Sequence, residues 1–189
     1  MSVFTEQAVR VRARSATAYK SASVLFSERM RSQVAISQPD IFLSHSFEDR
    51  ELLLGAVLMI EDLRYRLYLD WRDDPTIDRT KVTPENAAML RERMVSSRCL
   101  FYAVTPHATD SLWTKWELGY KDGNNGKIAI LPIVGNYTDA YSGPQFLGLY
   151  PYVTILNNTN GEKRLWIHQS RTCYVEFSAW LTGSKPKEH

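Results

Sequence analysis

From Asp40 onward, short apolar runs alternate with segments in which apolar residues recur at helical spacing. Near-continuous apolar runs are typical of strands buried on both faces, and their alternation with helices is typical of a parallel sheet. Four of the five runs precede a helical pattern, and the runs span residues 41–43, 67–69, 99–104, 127–134 and 153–155. The pattern predicts a three-layer α/β domain with a five-stranded parallel sheet over residues 38–182.

Two of the predicted helices have clear sequence signals. Thr83 provides an N-cap, Pro84 suits the first helical position and Glu85 adds an early carboxylate, which predicts a helix running to about Ser96. Aromatic and aliphatic residues recur in the last part of the domain, and they predict a closing helix over residues 166–181.

The segment before the predicted domain has a different character. Residues 1–37 carry six basic residues against two acidic ones, a net charge of +4. Apolar residues recur there at roughly helical spacing and predict an amphipathic helix: Tyr19, Phe26, Met30 and Val34. This N-terminal helical extension either packs on the domain or serves self-association or partner docking. Residues 183–189 are interpreted as a C-terminal tail.

Composition narrows the class of protein. The net charge of the whole chain is +2, which gives no electrostatic case for binding nucleic acid or a membrane. Cys99 and Cys173 form no CxxC pair, so reduced thiols in a cytoplasmic protein are expected. The sequence contains no apolar run of membrane-spanning length. It also contains no GxGxxG, GxxxxGK[ST], GxSxG or HExxH motif, so no metal and no bound cofactor are expected.

Polar and aromatic residues follow the first two predicted strands. In an open parallel sheet, ligands bind beyond the carboxyl ends of the strands. Any α/β domain also places polar loops at this edge, so position alone does not establish a site. The candidates after the first strand are Ser44, His45, Ser46 and Phe47, and those after the second are Asp70 and Trp71.

A third candidate group lies after the third strand, in residues 111–120. Trp113 and Glu117 are four residues apart and share one face of a predicted helix. A carboxylate beside an indole can hold a sugar ring and stabilise positive charge. The alternative is that Thr114 caps a slightly later helix and Glu117 closes a capping box.

These segments together resemble a Toll/interleukin-1 receptor (TIR) domain. The stretch from Asp40 to Asp49 (DIFLSHSFED) is similar to the first TIR strand and its loop, and Leu69-Asp70-Trp71 resembles the second strand and the start of the BB loop. The spacing Ser111-x-Trp113-x-x-x-Glu117 resembles the motif of TIR domains that cleave NAD. The chain is similar to bacterial TIR proteins of Thoeris-type antiphage defence.

The resemblance implies a flavodoxin-like TIR fold in which Glu117 is the catalytic carboxylate. It implies that the substrate NAD is bound by Ser44, His45, Ser46, Phe47, Asp70, Trp71 and Trp113. The loop after Asp70 lacks the proline-glycine pair common in receptor-type TIR domains, so contacts made through that loop do not carry over.

The function implied is NAD glycohydrolase or ADP-ribosyl cyclase activity that releases nicotinamide. Water as the acceptor gives ADP-ribose, while an atom of the same molecule gives a cyclic isomer, and the sequence leaves both open. The resemblance also implies a homo-oligomer formed through TIR–TIR contacts and a downstream effector reached through the nucleotide product. The alternative function is a non-catalytic TIR assembly module in signalling.

Overall fold

The computed structural model describes residues 4–16, 38–45, 50–69, 83–105, 112–135 and 145–189. These ranges form one mixed sheet flanked by helices. Its strands are β1 (Phe4–Thr5), β2 (Ile41–Ser44), β3 (Leu67–Leu69), β4 (Cys99–Val104), β5 (Ile128–Val134), β6 (Tyr152–Asn157), β7 (Lys163–His168), β8 (Cys173–Glu176) and β9 (Lys187–Glu188).

The middle of the sheet is parallel. The strand order is β3-β2-β4-β5-β6, and every neighbouring pair in this part runs in the same direction. This is the order of flavodoxin-like domains, in which the chain reverses its direction of travel across the sheet beside the first strand. The position of this reversal is called the switch point, and here it lies between β2 and β4. The predicted five-stranded parallel sheet is confirmed.

Helices cover both faces of the sheet, which confirms the three-layer arrangement. They are α1 (Glu6–Ala16), α2 (Arg50–Glu61), α3 (Pro84–Ser96), α4 (Leu112–Asn125) and α5 (Phe177–Leu181), with a short 3₁₀ helix at Gln145–Leu149. Ile41 and Leu43 point into the core shared with α1, α2 and α5, whereas Phe42 points into the core shared with α3 and α4. In the described ranges, no helix has the length and apolar character needed to cross a membrane.

The α3 helix begins as its sequence predicts. Thr83 is the N-cap, its Oγ1 accepts a hydrogen bond from the backbone N–H of Asn86 at 3.2 Å, and Pro84 occupies the first turn. The helix ends at Ser96.

The predicted closing helix over residues 166–181 is wrong. The range contains the end of β7 and all of β8, two antiparallel strands that extend the sheet beyond β6, and only α5 is helical. Leu165 and Ile167 are buried in the core while Trp166 between them lies on the other face, and this period of two is the period of a strand.

The start of the chain is built into the same sheet. Phe4 of β1 lies beside Ile133 at the carboxyl end of β5, and Val9 and Ala13 of α1 are buried against α2. The predicted apolar stripe from Tyr19 to Val34 lies outside the described residues. The domain boundaries after residues 37 and 182 stay predictions, with β1 and α1 before the first and β9 after the second.

Candidate active site

Ser44 is the last residue of β2, at the carboxyl edge of the sheet and beside its switch point. It lies level with Tyr102 of the neighbouring strand β4. Its side chain is buried, with 1% of its surface exposed. The position is one where ligands bind in open parallel sheets.

Glu117 of α4 meets Ser44 in this position. The Ser44 hydroxyl donates a hydrogen bond to Glu117 Oε2 at 2.6 Å, across 73 residues of chain. Glu117 is fully buried. Burying a carboxylate is costly unless it is hydrogen-bonded, and bonds to a charged acceptor are short and strong. A buried carboxylate beside the switch point is therefore the main chemical feature of this edge.

The alternative role of Glu117 in a capping box is wrong. That arrangement needs α4 to begin after Thr114, but α4 begins at Leu112 and Thr114 is a buried residue within it. The hydroxyls of Thr114 and Tyr102 are hydrogen-bonded at 3.3 Å. The first turn of α4 therefore bonds to β4, while Glu117 reaches β2.

His45 follows Ser44 and is also buried, with 4% of its surface exposed. Its Nδ1 lies 3.0 Å from the carbonyl oxygen of Leu43. Because a carbonyl can only accept, Nδ1 carries the proton in this contact, which fixes the orientation of the ring. His45, a predicted site residue, therefore lies next to Ser44 with its ring held by the backbone.

Trp113 lies one turn before Glu117 on α4 and is half-buried. Its ring packs edge-on against Trp116, with ring centroids 5.5 Å apart, and Trp116 stacks on Tyr120 at 5.8 Å. The guanidinium of Arg91 on α3 lies 5.4 Å from the Trp116 ring centroid. Trp116 and Tyr120 therefore pack at the α3–α4 contact.

Lys121 was not predicted, although it continues the spacing of Trp113 and Glu117 by another four residues. Its side chain is fully buried, and its ammonium group donates hydrogen bonds to the carbonyls of Met94 at 2.6 Å and Ser97 at 2.7 Å. Both acceptors lie at the carboxyl end of α3, where a cation is favoured. Lys121 therefore ties α4 to α3.

The structure thus brings Ser44, His45 and Glu117 to one edge of the sheet, with Trp113 a turn away on α4. Four other predicted site residues lie outside the described ranges: Ser46, Phe47, Asp70 and Trp71. Within the described ranges, no group of three or more His, Cys, Asp or Glu residues could hold a metal ion. The roles of all eight residues stay predictions.

Fold and site together define an α/β protein of the TIR class, with a buried glutamate beside the switch point of a flavodoxin-like sheet. No protein-family model matches the chain. It is 51% identical over 146 residues to a Bacillus cereus (strain MSX-D12) protein named a probable 3' cyclic ADP-D-ribose synthase, ThsB', and the match covers 75% of each chain. The chain therefore belongs to the family of bacterial TIR proteins that contains ThsB'.

A second relative carries a related name. The TIR2 protein of Cytobacillus dafuensis, named a cyclic ADP-D-ribose synthase, is 27% identical over 82 residues, covering 43% of this chain and 22% of the relative. Both names give the activity as assigned rather than established.

Proposed function

We propose that this protein cleaves NAD at the bond between nicotinamide and ribose and closes the product into a cyclic ADP-ribose isomer. The observation that carries the proposal is the buried Glu117 carboxylate, held by Ser44 at the ligand-binding edge of the sheet. The names of the two relatives support the same activity, and that of ThsB' specifies the 3' cyclic isomer.

The chemistry suits a site with one carboxylate. The C1'–N bond breaks and both of its electrons leave with nicotinamide, which departs as a neutral molecule because its nitrogen was cationic. No strong general acid is therefore needed. The ribose carbon becomes oxocarbenium-like, as in glycoside cleavage, and a buried carboxylate stabilises such a positive charge. Glu117 is the proposed source of that stabilisation, and NAD is a substrate, with no other cofactor.

The acceptor decides the product. An oxygen or nitrogen atom of the same molecule that forms a bond to C1' gives a cyclic isomer, and an attacking hydroxyl loses its proton in the process. Water would give ADP-ribose instead. Excluding water at C1' would favour the cyclic product. In this proposal Ser44, His45, Ser46, Phe47 and Trp113 line the nicotinamide and ribose side, and Asp70 and Trp71 line the far rim.

Product analysis tests this proposal directly. Purified protein is incubated with NAD, and the products are separated by liquid chromatography and identified by mass spectrometry. The expected result is equal amounts of nicotinamide and a cyclic ADP-ribose, which contains one water less than linear ADP-ribose. Linear ADP-ribose as the sole product would retain the NAD-cleaving activity and contradict the cyclase.

Assembly and signalling are further parts of the proposal. We infer that the protein forms a homo-oligomer through contacts between TIR domains and acts in the cytoplasm, where its nucleotide product reaches a downstream effector in antiphage defence. Residues 1–37 and the loop over residues 71–82 are the candidate assembly surfaces. Light scattering tests this with β1 and α1 kept in place, because both pack on the rest of the domain. Polar substitution of Tyr19, Phe26, Met30 and Val34, and replacement of the 71–82 loop, should each reduce particle size and NAD cleavage together. Unchanged size in both variants would contradict the assembly surfaces.

A further inference from the structure

A cavity lies on the antiparallel part of the sheet, away from Ser44 and Glu117. Its volume is about 420 Å³, within the range of small-molecule sites, and its walls come from the β6–β7 turn, the β7–β8 turn, strands β6 to β8 and the end of the chain. β6 is three strand positions from β2, which corresponds to about 14 Å across the sheet. The cavity is therefore separate from the candidate active site.

Aromatic rings form one wall of this cavity. Trp166 and Tyr174 pack edge to face with ring centroids 5.6 Å apart, and His189 stacks on Tyr174 at 4.2 Å. The row continues inward, because the ring of His168 lies 5.1 Å from Tyr174. Trp166 and Tyr174 are only half-buried. Tyr174 is flanked by the rings of His168 and His189, so Trp166 is the half-buried ring of this wall on which a flat base can stack.

The charge of the cavity favours an anion. Arg171 lines it from the exposed β7–β8 turn, and none of its described lining residues is acidic. Arg171 forms no ion pair with any residue in the described ranges, so its planar guanidinium can form two hydrogen bonds to a phosphate. Asn157 and Thr172 add an amide and a hydroxyl on the same lining.

We propose that this cavity is a second ligand site, which binds a mononucleotide with its base on Trp166 and its phosphate on Arg171. Neither relative's name assigns such a site, and the proposal does not depend on NAD cleavage.

Calorimetric titration of the full chain with AMP, adenosine and inorganic phosphate tests the proposal. The AMP binding that depends on Arg171 should amount to one site per chain, adenosine should bind more weakly, and phosphate alone should give no measurable heat. Arg171→Gln should weaken AMP binding by about tenfold, the typical effect of losing a charged hydrogen-bonding pair, and leave adenosine binding unchanged. Because Arg171 is exposed, this variant keeps the fold.

Lys163→Gln is the matched control, because it removes an exposed positive charge from β7 outside the cavity. It should bind AMP as the wild type does. Equal loss of AMP binding in both variants would show a general charge effect and overturn the site. AMP binding that is unchanged in Arg171→Gln, or absent at millimolar concentration in the wild type, would overturn it as well. None of these outcomes depends on whether the protein cleaves NAD.

Discussion

At the scale of single residues, the Ser44–Glu117 hydrogen bond is the contact on which the proposed activity depends most. Ser44→Ala removes the donor that orients Glu117 Oε2. Hydrogen bonds to charged groups are worth about 1.5–3 kcal/mol, so we expect kcat/KM for nicotinamide release to fall by roughly ten- to a hundredfold. Ser96→Ala is the control, because among the described residues that hydroxyl bonds only the Arg93 carbonyl on α3. Equal rates in the two variants would contradict the role of Ser44.

Lys121 gives the protein a defined pH dependence. Burial lowers the pKa of its ammonium group from 10.5 to about 8, while the Cys99 thiol nearby opposes this shift. The folded state therefore loses the proton at lower pH than the unfolded state does. Between pH 8 and pH 10.5 the unfolded chain holds more protons, so the contribution of Lys121 to the free energy of unfolding rises with pH, by up to about 3 kcal/mol.

Urea denaturation across this pH window measures the effect. The wild type is compared with Lys121→Met, and the difference between their free energies of unfolding should grow in favour of the wild type as the pH rises. Other titrating groups affect both proteins equally and cancel. A difference that stays constant from pH 8 to pH 10.5 would contradict the lowered pKa.

The two cysteines should differ in reactivity. Cys99 is fully buried, and burial raises the pKa of its thiol well above the ordinary value, which suppresses the reactive thiolate. Cys173 is half-buried near the β7–β8 turn, and both thiols are free. A thiol reagent should therefore modify Cys173 in the native protein and Cys99 only after unfolding. Peptide mass spectrometry checks the order, and modification of Cys99 first would contradict it.

Sequence reasoning at this scale found residues but not their contacts. The Trp113–Glu117 spacing placed both residues on one helical face, yet whether Glu117 capped a helix or lay in a site depended on where α4 begins. Its hydrogen bond to Ser44 joins parts of the chain 73 residues apart, and no local pattern contains that information. Lys121 was not predicted, and a lysine is rarely fully buried.

At the scale of elements, α1 crosses α2 at very close range at Gly55. A methyl group at Gly55 would overlap the backbone carbonyl of Val9, so only glycine allows this approach. Gly55→Ala should lower the free energy of unfolding by about 1–3 kcal/mol, because the overlap outweighs the gain in helix propensity.

Gly119→Ala is the matched control, since Gly119 lies within α4 and a methyl group there meets nothing within 4 Å. It should be neutral or stabilise the protein by up to about 1 kcal/mol. Chemical denaturation of the two variants compares them directly. Equal stability would show that α1 does not pack on α2 as described.

The strands were predicted better than the last helix, for a physical reason. The runs at β3 and β4 are short, apolar and buried on both faces, so their composition alone identifies them. The 166–181 range contains apolar residues that fit either period, and its turn over residues 169–172 lacks glycine and proline. Without a turn signal, two short strands and a short helix were interpreted as one helix.

At the scale of the whole molecule, the sheet order connects the fold to the proposed function. The order β3-β2-β4-β5-β6 puts the switch point beside Ser44, and α4 reaches that point with Glu117. The three-layer α/β arrangement followed from the strand pattern, and the flavodoxin-like fold was implied by the family resemblance. The antiparallel strands β7 to β9 and the cavity beside them were not predicted, because the pairing of these strands is set by tertiary contacts.

The most direct measurement of the central claim is nicotinamide release from NAD by the wild type, Glu117→Gln and Glu92→Gln. Glu92 is an exposed glutamate on α3 and serves as the matched control. We expect release by the wild type and Glu92→Gln at equal rates, and a loss of at least about a hundredfold in Glu117→Gln, because the neutral amide cannot stabilise the developing charge. Undiminished release by Glu117→Gln, or none by the wild type, would contradict an NAD-cleaving role for Glu117.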